Sequence, residues 1–387
     1  AGGRRRARCA GAAGPEHPFW VFDWGRCLGA APASCAAALF VSGVLCSAAG
    51  IGGGGIYVSL LMVLGGLTAR DAVPLSKGVV FFGAMASLAL NLRKSQDKKA
   101  PPLIHYGVCR LVVPSALLGT LFGVLINHTA GDRLILVLLS AILVFMAYSS
   151  VRTTAKQYAE EMAAPGPSPG AAAATDSEAA ISVGTPFAKR DAYGGAALLA
   201  TIVLCGSLRF HWQRLAGGLA QGSPWLTSAL HAATLAVPIA LCLLATVYNS
   251  YMCIGEECIM PAEVVRYSAM AAFTGCFAGL VGIGGGLIFS PFFLAMGLDP
   301  SVAVATSSTC VLFTSSSTTL QYLLTGRIIM SLTVLYGVAN LIASYCGTSL
   351  VLLLNERFAG RKSYISGIVA SAVLISTGLV LSKFFAA

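Results

Sequence analysis

Charged residues are scarce in this sequence. Asp, Glu, Lys and Arg make up 10% of the 387 residues, whereas an average soluble domain contains about 25%. Hydrophobic residues make up 56%, and apolar stretches of about 20 residues recur along nearly the whole chain. One soluble core cannot bury that much apolar sequence. The composition therefore predicts an all-α, polytopic integral membrane protein with the lipid bilayer as its partner, and it leaves plasma membrane and endomembrane both open.

The sequence also lacks the residue sets of common active sites. Its five histidines are scattered, and no catalytic carboxylate pair, GxSxG or HExxH motif is present. Gly50, Gly52 and Gly55 formally match GxGxxG, but no alternation of strands and helices surrounds them. The sequence therefore predicts no catalytic residue, no bound metal and no cofactor, and the protein is predicted not to be an enzyme.

Cysteines and basic residues do not point to a ligand. Most of the twelve cysteines stand singly inside apolar runs, where they pack as small side chains. Only Cys253 and Cys258 share a loop in which a disulfide or a metal site is open, and no nearby histidine completes a zinc set. The net charge of +10 comes mostly from loops and the N-terminus, which is typical of topology signals and lipid contacts. No nucleic-acid partner is predicted, and the oligomeric state stays open.

Apolar runs and linkers divide the chain into five regions. The spans are predicted at about 32–49, 56–64, 72–92, 103–126, 132–151, 192–208, 226–250, 262–281, 287–296, 301–324, 329–354 and 363–384. They correspond to between about 8 and 12 helical segments. The regions are a basic, flexible N-terminal segment (1–31), a first transmembrane repeat (32–151), a flexible linker rich in Pro, Ala and Gly (152–191), two additional helices with a loop (192–261), and a second transmembrane repeat (262–387).

The second half of the chain repeats the first. "GIGGGGIY" at 50–57 aligns with "GIGGGLIF" at 282–289, and "GLTARDAVPLS" at 66–76 aligns with "GLDPSVAVATS" at 297–307. If each glycine motif forms a hairpin that enters and leaves on one side, five spans separate the two units. An odd number of spans inverts the second unit. The sequence therefore predicts two inverted repeats, an architecture of secondary transporters with the site near the membrane midplane.

The clustered glycines predict a break in each helix. Each Gly costs a helix about 1 kcal/mol relative to Ala, so four or five together cost roughly 4 to 5 kcal/mol. Broken backbone inside a membrane must be buried in protein or line a wet cavity. The short helix after each motif then has its N-terminus in the middle of the membrane. The free amides there carry a partial positive charge and favour an anion. Close helix packing is the alternative role for the glycines.

Polar residues beside the motifs suit a small oxyanion. Lys77 follows Ser76 in an apolar span and needs an anionic partner or a path to water, unless it snorkels to the interface. Its counterpart in the second repeat is Ser308, within a hydroxyl cluster. Asn91 aligns with Tyr322, which is beside Gln321, a further donor of the predicted substrate site. These features predict a small anionic substrate.

Both glycine repeats resemble the signature repeats of the sulfite exporter TauE/SafE family. The resemblance covers roughly 33–151 and 262–384, and the "LSK" and "NLR" elements are similar to its plant and protist branch. It implies a membrane transporter of a sulfur-containing oxyanion, such as sulfite or an organosulfonate, driven by an ion gradient with H⁺ or Na⁺ as the coupling ion. Together with the inverted repeats it predicts alternating access; an anion channel or a non-transporting scaffold is the alternative. Ser59 departs from the family pattern, because a proline is usual there, as at Pro291. The resemblance implies that the substrate path is lined by Gly52, Gly53, Gly54, Gly55, Ser76, Lys77, Asn91, Gly284, Gly285, Gly286, Thr306 and Ser307.

Overall fold

A computed structural model describes residues 30–48, 50–95, 103–163, 224–256, 260–357 and 363–386, with isolated helical positions at 197, 200 and 204. Helices make up nearly all of these residues, and no strand occurs among them. In chain order the helices are α1 (Ala30–Ala48), α2 (Gly54–Val63), α3 (Ala69–Ser95), α4 (Tyr106–Thr129), α5 (Asp132–Ala163), α6 (Pro224–Glu256), α7 (Pro261–Val281), α8 (Gly286–Ala295), α9 (Pro300–Leu324), α10 (Met330–Arg357) and α11 (Ser363–Ala386).

The predicted all-helical membrane architecture is confirmed. Six described helices are long and apolar enough to cross a membrane: 69–94, 106–129, 132–152, 236–254, 261–281 and 330–351. Most predicted bounds agree within three residues. Helix α5 is longer than predicted and continues to Ala163, because the segment after residue 151 is rich in the good helix formers Ala, Lys, Gln and Glu. The predicted span at 192–208, most of the linker and Cys258 lie outside the described residues.

Both glycine motifs interrupt the helices, as predicted. Gly53 and Gly285 precede α2 and α8 with φ of 69° and 66°, a backbone conformation that favours glycine. Helices α2 and α8 have 10 residues each, so each is about 15 Å long, half of a hydrocarbon core of about 30 Å. Each is therefore too short to cross the membrane alone.

Helix α2 runs back toward the side at which α1 begins. Asn340 of α10 faces both Gly43 of α1 and Gly83 of α3, so these two glycines lie at the same level. Both helices run parallel to α10, because Gly43 and Ser47 face Asn340 and Ser344, and Gly83 and Ser87 face Asn340 and Thr348, in the same order. Helix α1 ends five residues after Gly43, about 8 Å beyond that level, and α3 begins fourteen residues before Gly83, about 21 Å on the other side of it. The chain must return between them, and α2 makes the return as the second arm of a hairpin.

Small residues let the helices of the two repeats approach closely. A methyl group at Gly119 or Gly123 of α4 would overlap the backbone of α7. In the same way, one at Gly347 of α10 would overlap Val44 of α1. Such close backbone contact is characteristic of glycine in membrane helices, where van der Waals packing drives association. The core of the protein is therefore built between the repeats rather than within each one.

Candidate functional site

The two glycine motifs meet in the interior. A methyl group at Gly54 would overlap the backbone nitrogen of Gly284, and one at Gly286 would lie 2.7 Å from the carbonyl oxygen of Ile51. Only glycine permits this approach of two backbones. The contact brings the N-termini of α2 and α8 to one buried place, although their residues are about 230 positions apart in the sequence.

Hydroxyl groups of the second repeat bond the first motif. Ser290 and Ser307 each donate to the Gly50 carbonyl oxygen over 3.2 Å, and their own hydroxyls are 3.0 Å apart. Ser76 has the corresponding place beside the second motif: its hydroxyl lies 3.1 Å from the position of a methyl group at Gly282, and it donates to the Val73 carbonyl oxygen. Helix α3 therefore presents Ser76 to the second glycine motif, and α9 presents Ser307 to the first.

Lys77 places a cation at the contact of the motifs. Its side chain is 1% exposed, and its ammonium donates to the carbonyl oxygen of Ile283 in the second motif over 2.9 Å. An ammonium has three N–H donors, and this carbonyl is the one partner recorded for it. Among the described residues no carboxylate forms an ion pair with Lys77. Two N–H donors of this side chain are therefore without a protein partner among the described residues.

A small cavity lies beside the first motif, between α1, α3, α9 and α10. Its volume is about 10 Å³, enough for about one water molecule. The polar side chains of its lining are Ser47, Ser87, Ser308, Asn340 and Ser344. Gly50, Gly52 and Gly83 complete the wall where side chains would fill the space. No charged side chain of the described chain lines this cavity.

Asn340 connects this cavity to α2 and α3. Its carbonyl oxygen accepts from the Tyr57 hydroxyl over 2.6 Å, and its amide donates to the Val79 carbonyl oxygen over 2.8 Å. The sequence analysis missed Asn340, as it missed Ser47, Ser87 and Ser344. An amide with no charged neighbour in the apolar α10 is the signal that identifies such a residue, because polar groups inside membrane helices are seldom incidental.

The structure brings most of the predicted site residues together. The glycines of both motifs, Ser76, Lys77 and Ser307 share the buried contact described above. The Thr306 hydroxyl instead accepts from the His105 backbone amide over 3.0 Å, at the start of α4. Asn91 and Gln321 each lie fourteen residues farther along α3 and α9, about 21 Å from Lys77 and Ser307. Gln321 donates to the Ser317 hydroxyl there.

Comparison with known proteins gives one family. The sequence model of the Sulfite exporter TauE/SafE family matches residues 35–211 and 212–375. Sulfite exporter TauE/SafE family protein 3 of Arabidopsis thaliana is 27% identical over 93% of this chain and 78% of its own length. Family protein 1 of the same plant is 26% identical over 88% of this chain and 81% of its own length. No solved structure matches the chain.

Proposed function

Because this chain belongs to the sulfite exporter TauE/SafE family, a family of membrane transporters, we propose that it is a secondary transporter of a small, sulfur-containing oxyanion such as sulfite or an organosulfonate. The anion is held where the two glycine motifs meet and is moved by alternating access. The proposal rests on one observation above all: the ammonium of Lys77 is buried at this contact with no carboxylate partner among the described residues.

A buried charge of this kind has a physical cost. Removing an ion from water costs several kcal/mol even after the protein relaxes, and the single hydrogen bond to Ile283 offsets only part of that cost. An oxyanion that accepts the two remaining N–H groups supplies the missing partner and charge. Charge-assisted hydrogen bonds are the stronger kind. The site therefore suits an anion that binds and leaves.

The helix ends add donors at the same place. At the start of α8 the Gly286 amide donates to the Gly284 carbonyl oxygen and the Ile288 amide to that of Gly285, so α2 offers most of the amides that have no acceptor in their own helix. The aligned peptide dipoles give each N-terminus a partial positive charge. Gly53 and Gly285 cap these helices without a side-chain hydrogen bond. Ser76 and Ser307 stand next to the motifs. Together these groups would surround a small oxyanion with donors from both repeats.

The directions of the helices support an inverted arrangement. Successive contacts of Ala116 with Gly275 and of Thr120 with Gly279 make α4 and α7 parallel. Helix α4 returns across the bundle after α3, and α3 is parallel to α1, so α7 runs opposite to α1. Substrate sites of inverted-repeat transporters lie at the repeat interface, where Lys77 is located. We propose that Asn91, Thr306 and Gln321 line the path at other depths.

The packing of the glycines also favours a second candidate, a scaffold without transport. The backbone contact between Gly54 and Gly284 explains the glycines of both motifs by packing alone. It does not explain why α3 carries an unpaired charge at that contact, because an apolar side chain would pack there at lower cost. An anion channel is the remaining alternative and differs from a transporter in its kinetics.

Flux measurements separate these three functions. The full chain is reconstituted in proteoliposomes, and uptake of labelled sulfite and of taurine, a small organosulfonate, is measured under imposed gradients of Na⁺, H⁺ and the anion itself. A transporter predicts saturable uptake that accelerates when the vesicles are preloaded with unlabelled substrate. Uptake without this acceleration indicates a channel. No flux of any small anion under any gradient would contradict the proposal and leave the scaffold.

A further inference from the structure

The polar cavity beside the first glycine motif presents oxygen lone pairs. The Ser47 hydroxyl donates its proton to Ser344 over 2.6 Å, and the Ser308 hydroxyl donates to the Val304 carbonyl oxygen over 2.9 Å. A hydroxyl has one proton and two acceptor lone pairs, so Ser47 and Ser308 have only lone pairs left for the cavity. Part of the wall is therefore electronegative, although no carboxylate is present in the lining.

The cavity also lies at the C-terminal end of α1, to which Ser47 belongs. The last carbonyl groups of α1, those of Cys46 and Ser47, accept from the amides of Ile51 and Gly50, and the aligned peptide dipoles give this helix end a partial negative charge. Unwound backbone and helix C-termini at a break are where secondary transporters hold coupling cations. The end of α1 and the hydroxyl groups thus both make the electrostatic potential in this cavity negative.

The corresponding end of α7 receives longer donors from other helices. Lys77 donates to the Ile283 carbonyl oxygen, Asn127 donates to that of Leu280 over 2.6 Å, and Tyr322 donates to that of Gly279 over 2.7 Å. At the first motif the hydroxyls of Ser290 and Ser307 bond the Gly50 carbonyl oxygen. The second motif therefore has a cation beside it, the ammonium of Lys77, whereas the donors described at the first motif are neutral.

These donors have shorter or apolar counterparts at the first motif. Ser308 of α9 lies beside the first motif where Lys77 of α3 lies beside the second. Gly123 of α4 and Gly347 of α10 are counterparts, because they face Cys276 and Val44 at matching positions of α7 and α1. The same spacing makes Val351 the counterpart of Asn127, and the valine side chain has no donor. The first motif thus has a serine, and a cavity beside it, at the place where the second motif has a lysine.

We propose that this cavity is the binding site of the coupling ion, a monovalent cation of the size of Na⁺. Neutral hydroxyl, amide and carbonyl oxygens suit a hard cation, whereas a divalent ion normally takes carboxylates, which this lining lacks. The inference rests on the proposed function. With the cation bound, one positive charge lies beside each glycine motif. At the second motif this charge is the covalently attached ammonium of Lys77, and at the first it is the exchangeable cation. The anion between them then binds more tightly when the cation is present, and the cation when the anion is present.

Binding is tested apart from transport by thermal unfolding of the purified full chain. The unfolding temperature is measured at increasing concentrations of NaCl or KCl, with choline chloride added to keep the chloride concentration constant. A ligand that binds only the folded protein raises the unfolding temperature as its concentration increases. We expect Na⁺ to stabilise the protein more than choline. Ser308→Ala should raise the Na⁺ concentration for half of this effect by about tenfold or more, the range seen when metal sites lose a supporting group.

The matched control is Ser316→Ala on the same helix. Ser316 is equally buried, at 9% exposure against 7%, and donates to a carbonyl one turn back, but it does not line the cavity. Its Na⁺ response should equal that of the unmodified protein. Ser344→Ala removes a second cavity oxygen and replaces Ser308→Ala if that variant does not fold.

Each outcome bears on one proposal. Equal stabilisation by Na⁺ and choline, or the same Na⁺ response for Ser308→Ala and Ser316→Ala, overturns the cation site whatever the flux. Sulfite uptake driven by a pH gradient without Na⁺ overturns Na⁺ coupling and leaves the anion transporter intact. A sodium effect that Ser308→Ala weakens supports the site even if no anion flux is found, a result that would contradict the transporter proposal alone.

Discussion

Lys77→Met is the sharpest test of the anion site. Methionine retains most of the length and volume of lysine but removes the charge at the contact of the two motifs. Two unit charges about 4 Å apart interact by about 4 kcal/mol at an effective dielectric constant of about 20. If a bound oxyanion makes this interaction, its loss corresponds to a decrease of about 10³-fold in affinity. The half-saturation concentration for labelled sulfite in proteoliposomes measures it.

The same substitution should not weaken the fold. In the absence of substrate the Lys77 ammonium bears its desolvation cost with one carbonyl partner, that of Ile283, and an apolar side chain of similar volume avoids the cost. We expect the unfolding temperature of Lys77→Met in detergent to equal or exceed that of the unmodified protein. Arg93→Met, which removes an exposed cation near the other end of the same helix, is the control and should alter neither quantity by a comparable amount.

Two results would refute this reasoning. An unchanged half-saturation concentration in Lys77→Met would mean that the ammonium does not contact the anion. A large fall in unfolding temperature that accompanies the loss of transport would mean that Lys77 serves the fold through Ile283 rather than binding substrate. Loss of transport in a stable protein is the outcome that the anion site requires.

Two further substitutions test the contacts around the site. Gly54→Ala should abolish the yield of folded protein, because its methyl group would overlap the Gly284 backbone. The control Gly131→Ala places its methyl group in open space and should be purified in normal amounts. Equal yields of the two variants would contradict the backbone contact. Tyr57→Phe removes the donor to Asn340 and should destabilise the protein by about 1 to 3 kcal/mol, the cost of an unsatisfied buried polar group; an unchanged unfolding temperature would show that Asn340 finds another partner.

Local patterns were sufficient to predict most helices of the described fold. The bounds of α2 and α8 were predicted within two residues, because clustered glycine is costly in a helix wherever it occurs. Helix α5 was predicted too short, because the apolar run that predicted it ends near residue 151, whereas the helix continues through good helix formers to Ala163. The sequence analysis recognised Lys77 as a charge in need of a partner, since a cation in an apolar run is visible without a structure.

The sequence by itself determined the membrane environment, the duplication and the two helix breaks, because hydropathy, repetition and glycine content are properties of short segments. Only the tertiary structure decided that Lys77 bonds the carbonyl of Ile283, 206 residues away, that Asn340 faces both arms of the first hairpin, and that Ser47 and Ser344 share one cavity. Partners of this kind depend on which helix faces meet at which height. That choice is made by the packing of all the helices together and is not encoded in any one segment.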